Sequence, residues 1–267
     1  MFDKSSVASR VGGVSACIVT YNEEANIERC LRSVDWADEI VVVDAFSEDG
    51  TVEISRRYTD RVFQHAWPGH IEQKNVALGY ARCDWVFALD ADEEVSEALR
   101  EHILEAIGRG ECEGYFVPRR VFYLGRWITH CGWYPEYRLR LFRRERGRWG
   151  GMNPHDRVIL EGRTGVLKGD LYHYPYRDVS DHWETMGRYA TTAAEEMVRR
   201  GRRFRWWDLL VRPPARFGKM YVLKQGFLDG EIGLVVSLLG AGSVFLKYVK
   251  LWELCKSGDK DSVKCEV

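Results

Sequence analysis

The segment DWVFALDADEE at residues 84–94 decides the fold. Its apolar half, residues 85–89, has the length and the aromatic and β-branched character of a strand buried on both faces. Four acids follow within five residues, and Asp90 and Asp92 flank one small residue. Because an unpaired carboxylate is costly to bury, this pattern predicts a positive partner. Mg²⁺ held by one or two carboxylates and by substrate phosphates is one candidate, and a solvated strand end leading into an acidic helix is the alternative.

Length and composition limit the possible classes of protein. The chain has 267 residues, 45% of them hydrophobic and 30% charged, with a formal net charge of −1. These values predict one large domain, or one domain with an appendage, and exclude a protein that is wholly embedded in a membrane. A net charge near zero gives no reason to expect a nucleic-acid partner.

The cysteines and the apolar segments indicate the cellular compartment. Seven cysteines, an odd number, include no C-x-x-C pair, which argues against a disulfide framework and a zinc ribbon and favours the reducing cytoplasm. Residues 1–13 contain no apolar segment, so no secretory signal is expected. The longest uncharged stretch, residues 232–246, has fifteen residues and three glycines, which is short for a membrane span.

Predicted strands and helices alternate up to residue 110. The strands lie at residues 14–19, 40–43, 62–63 and 85–89, and the helices at about residues 27–34, 51–58, 69–82 and 96–107. This spacing predicts right-handed βαβ units and a parallel sheet, in which ligands lie beyond the carboxyl ends of the strands. Polar residues fall at three of those ends, at residues 20–23, 44–49 and 90–93. We therefore expect one site where these strand ends meet.

The pattern changes after Gly110. Short strands are predicted at residues 115–117, 121–123 and 137–142, with edge strands at 158–160 and 166–167 and a helix from about residue 180. In residues 137–142 the apolar positions alternate with Arg138 and Arg140, as in a half-buried strand. Residues 147–154, which are rich in glycine, are predicted to form a loop.

Three segments in this order, CIVTYNEEANIERCL, EIVVVDAFSEDGTVE and DWVFALDADEE, resemble glycosyltransferase family 2, whose GT-A fold binds a nucleotide sugar and a divalent metal. QKNVAL at residues 73–78 and the tail GFLDGEIGLVV…FLKYVKLWE are similar to a branch of lipopolysaccharide inner-core transferases often described as β-1,4-glucosyltransferases. The resemblance implies an α/β fold with a Rossmann-like nucleotide-binding mixed sheet, flanking helices and a C-terminal helical extension. The catalytic domain would cover residues 1–178, with a nucleotide-sugar half at about 12–110 and an acceptor half at 111–178, and the helical region residues 179–267.

The resemblance also implies roles for individual residues. Contacts with the nucleotide sugar are expected from Thr20, Tyr21, Asn22, Glu23, Asp44, Gln73, Lys74, Asp90 and Ala91, and contacts with Mg²⁺ or Mn²⁺ from Asp92 and Asp90. The chemistry agrees, because a carboxylate accepts hydrogen bonds from ribose hydroxyls and an aromatic ring covers a base face. The structural alternatives are a helix cap for Asn22 and an Asx turn for Asp44. Phe46 stands where the family usually has a small residue.

An inverting transferase needs a carboxylate that takes the proton from the acceptor hydroxyl. In the segment GRWGGMNPHDRV, His155 and Asp156 match the family's H-E with a shorter acid. We expect Asp156 to be the base and His155 to orient it or to bind the acceptor, and the alternative is an ion pair of Asp156 with Arg157. The neighbouring arginines, which assist the phosphates or form a solvated face, are Arg138, Arg140, Arg143 and Arg144.

The C-terminal third is basic and aromatic. Residues 199–224 contain nine Lys or Arg against Asp208, and Trp206 and Trp207 precede the apolar run at 232–246. Basic residues beside amphipathic rings suit anionic headgroups, so we expect peripheral attachment to the cytoplasmic face of the inner membrane. A lipid-linked oligosaccharide acceptor would present its hydroxyl group there. Helices packed on the catalytic domain are the alternative.

The predicted activity is transfer of a hexose, glucose by likeness, from a nucleoside diphosphate sugar to a lipopolysaccharide core or a similar glycolipid. A transferase acting on polyprenyl phosphate is one alternative, although such enzymes usually carry clear membrane spans. A non-catalytic nucleotide-sugar-binding protein is another. A phosphatase of the haloacid dehalogenase type also places D-x-D at a strand end, but Glu93 and Glu94 stand where it would have Thr or Val.

Overall fold

The computed structural model describes residues 12–152 and 155–262, with side chains for residues 12–151 and 156–257. The expectation about a signal at residues 1–13 falls almost entirely outside this part. The chain divides into two compact units, the first comprising Met1–Arg120 and Glu136–Tyr174 and the second Val121–Pro135 and Pro175–Val267. The division after Tyr174 lies four residues before the boundary expected from the sequence. Val121–Pro135, expected in the catalytic domain, groups with the C-terminal helices.

The strands and helices are as follows. The strands are β1 (Val14–Thr20), β2 (Glu39–Asp44), β3 (Val62–Gln64), β4 (Trp85–Asp90), β5 (Glu93–Val95), β6 (Gly114–Tyr123), β7 (Arg126–Trp127), β8 (Glu136–Arg143), β9 (Gly147–Met152), β10 (His155–Leu160), β11 (Thr164–Val166) and β12 (Leu171–His173). The helices are α1 (Ile27–Ser33), α2 (Thr51–Ser55), α3 (His70–Tyr80), α4 (Glu97–Arg109), α5 (Val179–Arg199), α6 (Trp206–Gly218) and α7 (Gly230–Ser262). A π-helical turn (Lys219–Leu223) and a 3₁₀ turn (Gly226–Asp229) separate α6 from α7.

The main sheet has the order β3-β2-β1-β4-β8-β6-β12-β5. β1 pairs in parallel with both β2 and β4, which places Thr20 opposite Asp44 and Val19 opposite Asp90. β8 is antiparallel to β4 and β6, so the sheet is mixed. The predicted α/β class is confirmed, and the carboxyl ends of β1, β2 and β4 lie side by side.

The central strands are apolar throughout because both faces of the sheet are covered. Every residue of β1 is buried. Successive residues of β4 belong to different clusters, Phe87 packing with α1 and α4 and Val86 packing with α3. At the start of α4, the predicted cap Ser96 accepts a hydrogen bond from the Leu99 N–H at 3.2 Å.

The prediction of two short strands at 115–117 and 121–123 was wrong, because β6 is one strand of ten residues. Pro118, Arg119 and Arg120 lie between the two predicted segments. The structure pairs Arg119 with Glu93 and Glu136, and Arg120 with Asp170. Since these charges are neutralised within the sheet, the strand continues through them.

A β-bulge in β8 changes the direction of Arg140. Consecutive residues Tyr115 and Phe116 of β6 face Leu141 and Leu139, so Arg140 is an extra residue in β8. A bulge re-aims a side chain. The predicted alternation is therefore wrong at Arg140, whose guanidinium is buried 2.7 Å from Asp90 Oδ2 and 2.6 Å from Glu93 Oε1.

The loop predicted for residues 147–154 is also wrong over 147–152, which form β9 and pair with β10; Asn153 and Pro154 lie outside the described residues. The glycines are required by close packing. A Cβ on Gly147 would lie 2.4 Å from Phe142 Cδ2, and one on Gly150 would lie 2.5 Å from Ile159 Cδ1. Glycine at these positions indicates tight contact rather than a turn.

The second unit is mostly helical, and direct contacts hold the segment GFLDGEIG at residues 226–233. Asp229 is buried and accepts hydrogen bonds from the backbone N–H groups of Thr129 and His130. A Cβ on Gly233 would lie 1.8 Å from the carbonyl oxygen of Gly226. The segment GFLDGEIG therefore fixes the start of α7. By length and composition, residues Gly226–Ser257 are the one described helix that could cross a membrane.

Gly233→Ala is expected to destabilise the protein by about 3 kcal/mol, because its methyl group meets backbone that cannot move aside. Gly242→Ala, in the same helix, is the matched control, because nothing lies within 4 Å of its added Cβ. We expect this control to gain about 0.5–1 kcal/mol from helix propensity. Differential scanning calorimetry measures both, and equal effects would contradict the packing argument.

Arg140→Met is expected to cost about 3–5 kcal/mol, because it leaves the buried carboxylate of Glu93 and the partly buried carboxylate of Asp90 short of a cation. Arg138→Met, two residues away in the same strand and exposed, should change stability by less than about 0.5 kcal/mol. Urea unfolding of both variants checks this. A small effect of Arg140→Met on the free energy of unfolding would show that the ion pairs of Arg140 with Asp90 and Glu93 do not stabilise the fold.

Candidate functional site

Asp90, at the end of β4, lies between two cations. Its Oδ1 is 2.9 Å from Lys74 Nζ and its Oδ2 is 2.7 Å from Arg140. Burial acts to raise the pKa of Asp90, but Lys74 and Arg140 outweigh it and hold the pKa well below its usual range. Asp90 is therefore a carboxylate whose charge is already compensated by the protein.

Lys74 joins Asp90 to the predicted base. Its Nζ lies 2.9 Å from Asp156 Oδ2 and 4.7 Å from the centre of the Trp149 ring, and the side chain is only 9% exposed. Asn75 fixes the β9–β10 hairpin against α3, because its amide exchanges two hydrogen bonds with the backbone of Trp149, at 3.0 and 3.1 Å. Asp156 is thus held beside the D-x-D segment, paired with Lys74 rather than with Arg157 as the alternative reading had it. The predicted partner His155 has its backbone in β10, and its side chain lies outside the described residues.

The four acids of the segment have different partners. Glu93, which is buried, accepts from the Asp90 N–H at 3.0 Å and faces Arg140 and Arg119. Glu94 accepts from the Tyr174 hydroxyl at 2.7 Å. Neither is free for a ligand, and Asp92 is the acid that remains without a strong cation.

Asp92 lies beside His173 of β12, with His173 Nε2 at 3.1 Å from Asp92 Oδ2. Burial acts to raise the pKa of Asp92, but His173 lowers it on balance. Asp92 Oδ1 and His173 Nδ1 are buried and have no hydrogen-bond partner among the described atoms. An aspartate and a histidine side by side supply oxygen and nitrogen ligands of the kinds that a divalent cation takes together with phosphate and water. Within the described residues, no group of three or more His, Cys, Asp or Glu is arranged to hold a metal without such ligands.

Sequence reasoning missed His173. It is 81 residues from Asp92 and lies on a strand of three residues that no pattern predicted. The register of β12 with β5, in which His173 faces Glu93, brings it to the segment. A single histidine in LYHYPY gave no spacing that points to Asp92.

The loops after β1 and β2 are joined to each other. The Asn22 N–H donates to Ser47 Oγ at 2.8 Å, and Asn22 Oδ1 accepts from the Glu48 N–H at 2.8 Å. The alternative of Asn22 as a helix cap is therefore wrong, since α1 begins at Ile27 and Asn22 bonds across to the second loop. The Glu23 N–H donates to Thr51 Oγ1 at 2.8 Å.

Asp44 is fully buried and forms the Asx-type turn of its structural alternative. Its carboxylate accepts from the Ser47 N–H at 2.9 Å and from the Ser47 hydroxyl, and Gln64 Nε2 is 3.4 Å away. Phe46 lies within this turn, between Asp44 and Ser47, and its side chain is 54% exposed. Its backbone φ is 60°, in the left-handed region that a residue with a bulky side chain rarely adopts. Backbone strain of this kind is found at ligand sites.

The remaining predicted residues differ in accessibility. Tyr21 exposes 53% of its surface, whereas the Thr20 hydroxyl is buried and has no hydrogen-bond partner among the described atoms. Gln73 is fully buried, with its side-chain amide bonded to His65 Nδ1 at 2.9 Å and to the His65 carbonyl at 3.2 Å. Ala91 is buried between the two aspartates.

The arginines of residues 138–144 do not form one phosphate-binding group. Arg140 is buried between acids, whereas Arg138 is exposed beside Glu136. Arg143 lies 4.4 Å from the Trp85 ring centre, and Arg144 donates to the Cys83 carbonyl at 3.1 Å. Each of the four therefore contacts a group other than Asp92.

Comparison with known proteins bears on the family of the chain. The profile of Glycosyl transferase family 2 matches residues 15–160, more than half of the chain. The lipopolysaccharide core biosynthesis glycosyltransferase LpsC of Rhizobium meliloti (strain 1021) is 32% identical over 90% of this chain and 92% of its own length. An uncharacterized glycosyltransferase of Rickettsia typhi is 29% identical over 90% of this chain and 87% of its own.

Among solved structures, S. aureus TarS 1-349 in complex with UDP-GlcNAc is similar, with a TM-score of 0.47 and 16% identity, covering 92% of both chains. The extent of the profile match and the identity to LpsC over nearly all of both sequences decide the family. This chain belongs to glycosyltransferase family 2, and it is a glycosyltransferase.

Proposed function

We propose that this enzyme transfers a hexose, with inversion, from a nucleoside diphosphate sugar to the core of lipopolysaccharide or a similar glycolipid. One observation carries the proposal. The Asp156 carboxylate is held by Lys74 next to Asp90, so that a candidate base lies beside the candidate donor site. The name of LpsC, a lipopolysaccharide core transferase, supports the class of acceptor.

The donor is proposed to lie at the carboxyl ends of β1, β2 and β4. The exposed ring of Tyr21 would cover the base, and Thr20, with its unpartnered hydroxyl, would bond the nucleoside. Asp44, whose acceptor oxygens are partly used by Ser47, would accept one further hydrogen bond from the base or ribose. Asn22 and Glu23 would shape this pocket through their bonds to the second loop.

Lys74 and Gln73 are proposed to act from behind the pocket. Lys74 forms ion pairs with two carboxylates, so its proposed role is to hold Asp90 and Asp156 at a fixed separation. Gln73 holds His65 at the end of β3 and so positions the floor of the nucleotide site. UDP-glucose is the proposed donor, on the likeness of residues 73–78 and of the tail to β-1,4-glucosyltransferases.

The metal, Mg²⁺ or Mn²⁺, is proposed to bind Asp92 and His173. Asp90 was expected to share this role, but its charge is balanced by Lys74 and Arg140, so it is better suited to the ribose or sugar. When bound, the cation would offset the negative charge of the departing nucleoside diphosphate. Asp92 supplies the hard oxygen ligand that such an ion prefers.

Asp156 is proposed to accept the proton of the acceptor hydroxyl as that oxygen attacks the anomeric carbon. The carbon–oxygen bond to the diphosphate breaks on the opposite face, which gives inversion. Lys74 fixes the carboxylate oxygen Oδ2 at 2.9 Å, which leaves Oδ1 to face the acceptor. His155 is proposed to bind or orient the acceptor.

The enzyme is proposed to act at the cytoplasmic face of the inner membrane as a peripheral protein. The acceptor would be lipid-linked, and the exposed aromatic and basic residues of the second unit suit such a surface. To test the activity, UDP release is measured with UDP-glucose, UDP-galactose and GDP-mannose and a core oligosaccharide, with and without Mn²⁺. No release with any donor would contradict the proposal.

Asp156→Asn is expected to lower transfer by roughly 10²- to 10⁴-fold, because no group then removes the acceptor proton. Donor affinity, measured by calorimetry in the presence of Mn²⁺, should change little. Glu161→Gln, exposed just beyond the same hairpin, is the matched control and should keep full activity. Transfer by Asp156→Asn at close to the wild-type rate would remove the residue from this role.

Asp92→Asn and His173→Gln are each expected to weaken Mn²⁺-dependent binding of UDP by about tenfold or more, since each loses a ligand of the cation. Binding measured with excess chelator should be the same as for wild type. Glu94→Gln, which lies two residues from Asp92 and bonds Tyr174, is the control. If Mn²⁺ raised UDP affinity equally in all four proteins, the metal would lie elsewhere.

A further inference from the structure

The second unit exposes large apolar side chains along α6 and the turn after it. Trp207 is 74% exposed and Leu210 is 63% exposed. The exposed set comprises Trp206, Trp207, Leu210, Val211, Val222 and Leu223. A contiguous apolar patch on a soluble protein marks a surface that binds something.

These residues form one face of α6. Trp207, Leu210, Val211 and Pro214 recur at intervals of three or four residues, the spacing of a single helical face. The opposite face is packed, since Leu209 joins the cluster of Tyr248 and Leu251 from α7. The core of the unit is therefore complete without the exposed face.

Aromatic contacts extend this face at both ends of α6. At its start, the Trp206 ring lies 6.5 Å from that of Trp252 of α7. At its end, Tyr221 stacks on Phe217 at 5.3 Å and lies 6.3 Å from Phe227, which is itself half exposed. The apolar surface thus runs along the whole helix and into the following turns.

Exposed cations adjoin this surface in the chain. Those without an acidic partner among the described side chains include Arg203 and Arg205, just before α6, and Lys219 and Lys224, in and after the turn that follows it. Arg216 lies on the α7 side of the helix, since its Nε is 3.9 Å from a Cβ built on Gly240. The single acid of residues 199–224, Asp208, is buried and neutralised by Arg202 and Arg212 at 3.1 and 2.5 Å. The surface therefore carries a net positive charge around an apolar and aromatic centre.

We propose that α6 lies in the headgroup region of an anionic phospholipid bilayer, with the face of Trp207, Leu210 and Val211 inserted and the flanking arginines and lysines on the phosphates. Tryptophan is favoured at this depth because its ring is amphipathic, and each nearby cation adds to the attraction. The inference deepens the proposed function, and rests on it for the nature of the acceptor, by naming the surface that brings the enzyme to a lipid-linked sugar.

The same contacts favour interfacial attachment over a span by α7. Tyr248 and Leu251 of α7 are buried against Ala194 of α5, so one side of α7 is occupied by protein. Lys247 and Lys250 follow the uncharged run 232–246 and limit it to fifteen residues, which is short for a membrane span. α6, with one wholly exposed apolar face, meets the bilayer more readily.

The test uses the full chain in a flotation assay with vesicles of equal parts phosphatidylglycerol and phosphatidylcholine, and with phosphatidylcholine alone. The wild type should float with the anionic vesicles and much less with the neutral ones. Trp207→Ser combined with Leu210→Ser should bind the anionic vesicles at least about tenfold more weakly. Trp183→Ser changes a tryptophan on α5 that is 55% exposed; it is the matched control and should bind as the wild type does.

Arg203→Glu combined with Arg205→Glu should reduce binding to anionic vesicles and leave binding to neutral ones unchanged. Metal-dependent binding of UDP and the melting temperature are measured for every variant. A loss of vesicle binding can then be distinguished from a loss of nucleotide binding or of folding. Absence of flotation by the wild type, or equal flotation of all variants, would overturn the proposal. So would a wild-type dimer that Trp207→Ser and Leu210→Ser convert to a monomer, because a second copy would then cover this face.

Discussion

The balance of charge at the carboxyl end of β4 is the constraint on which the rest of the site depends. Two cations, Lys74 and Arg140, face three carboxylates, those of Asp90, Glu93 and Asp156. These groups come from a helix, a bulged strand, the D-x-D segment and a separate hairpin. Because buried charge is costly unless it is paired, each of these elements is held in register by the others. Asp92 lies outside this network and faces His173 instead.

The sequence predicted the parallel half of the sheet well. Continuous apolar runs such as residues 85–89 are typical of strands covered on both faces, and the structure has them at the predicted places. Ser96 was recognised as a cap because its signal is local. The α/β class and the adjacency of three strand ends followed from the alternation of elements alone.

The features that sequence reasoning missed depend on contacts between distant residues. Lys74 and Asp156 are 82 residues apart, and no periodicity links them. The burial of Arg140 follows from one inserted residue in β8, which a strict alternation cannot represent. Gly147 and Gly150 were predicted to be loop residues, because glycine occurs in turns as well as at close contacts within strands. Only the neighbouring side chains Phe142 and Ile159 show that these two glycines are at close contacts. The Asx turn that was considered as the structural alternative for Asp44 is present in the structure. The Asp44 carboxylate nevertheless remains at the end of β2.

The β9–β10 hairpin forms a two-stranded sheet of its own and is tied to α3 by Asn75 and Lys74. The donor site, as proposed, belongs instead to the main sheet. Changes in the hairpin's outward-facing residues can therefore accumulate during evolution without disturbing how the nucleotide is held. Divergence of acceptor preference among relatives with a common donor fold is a natural outcome of this separation.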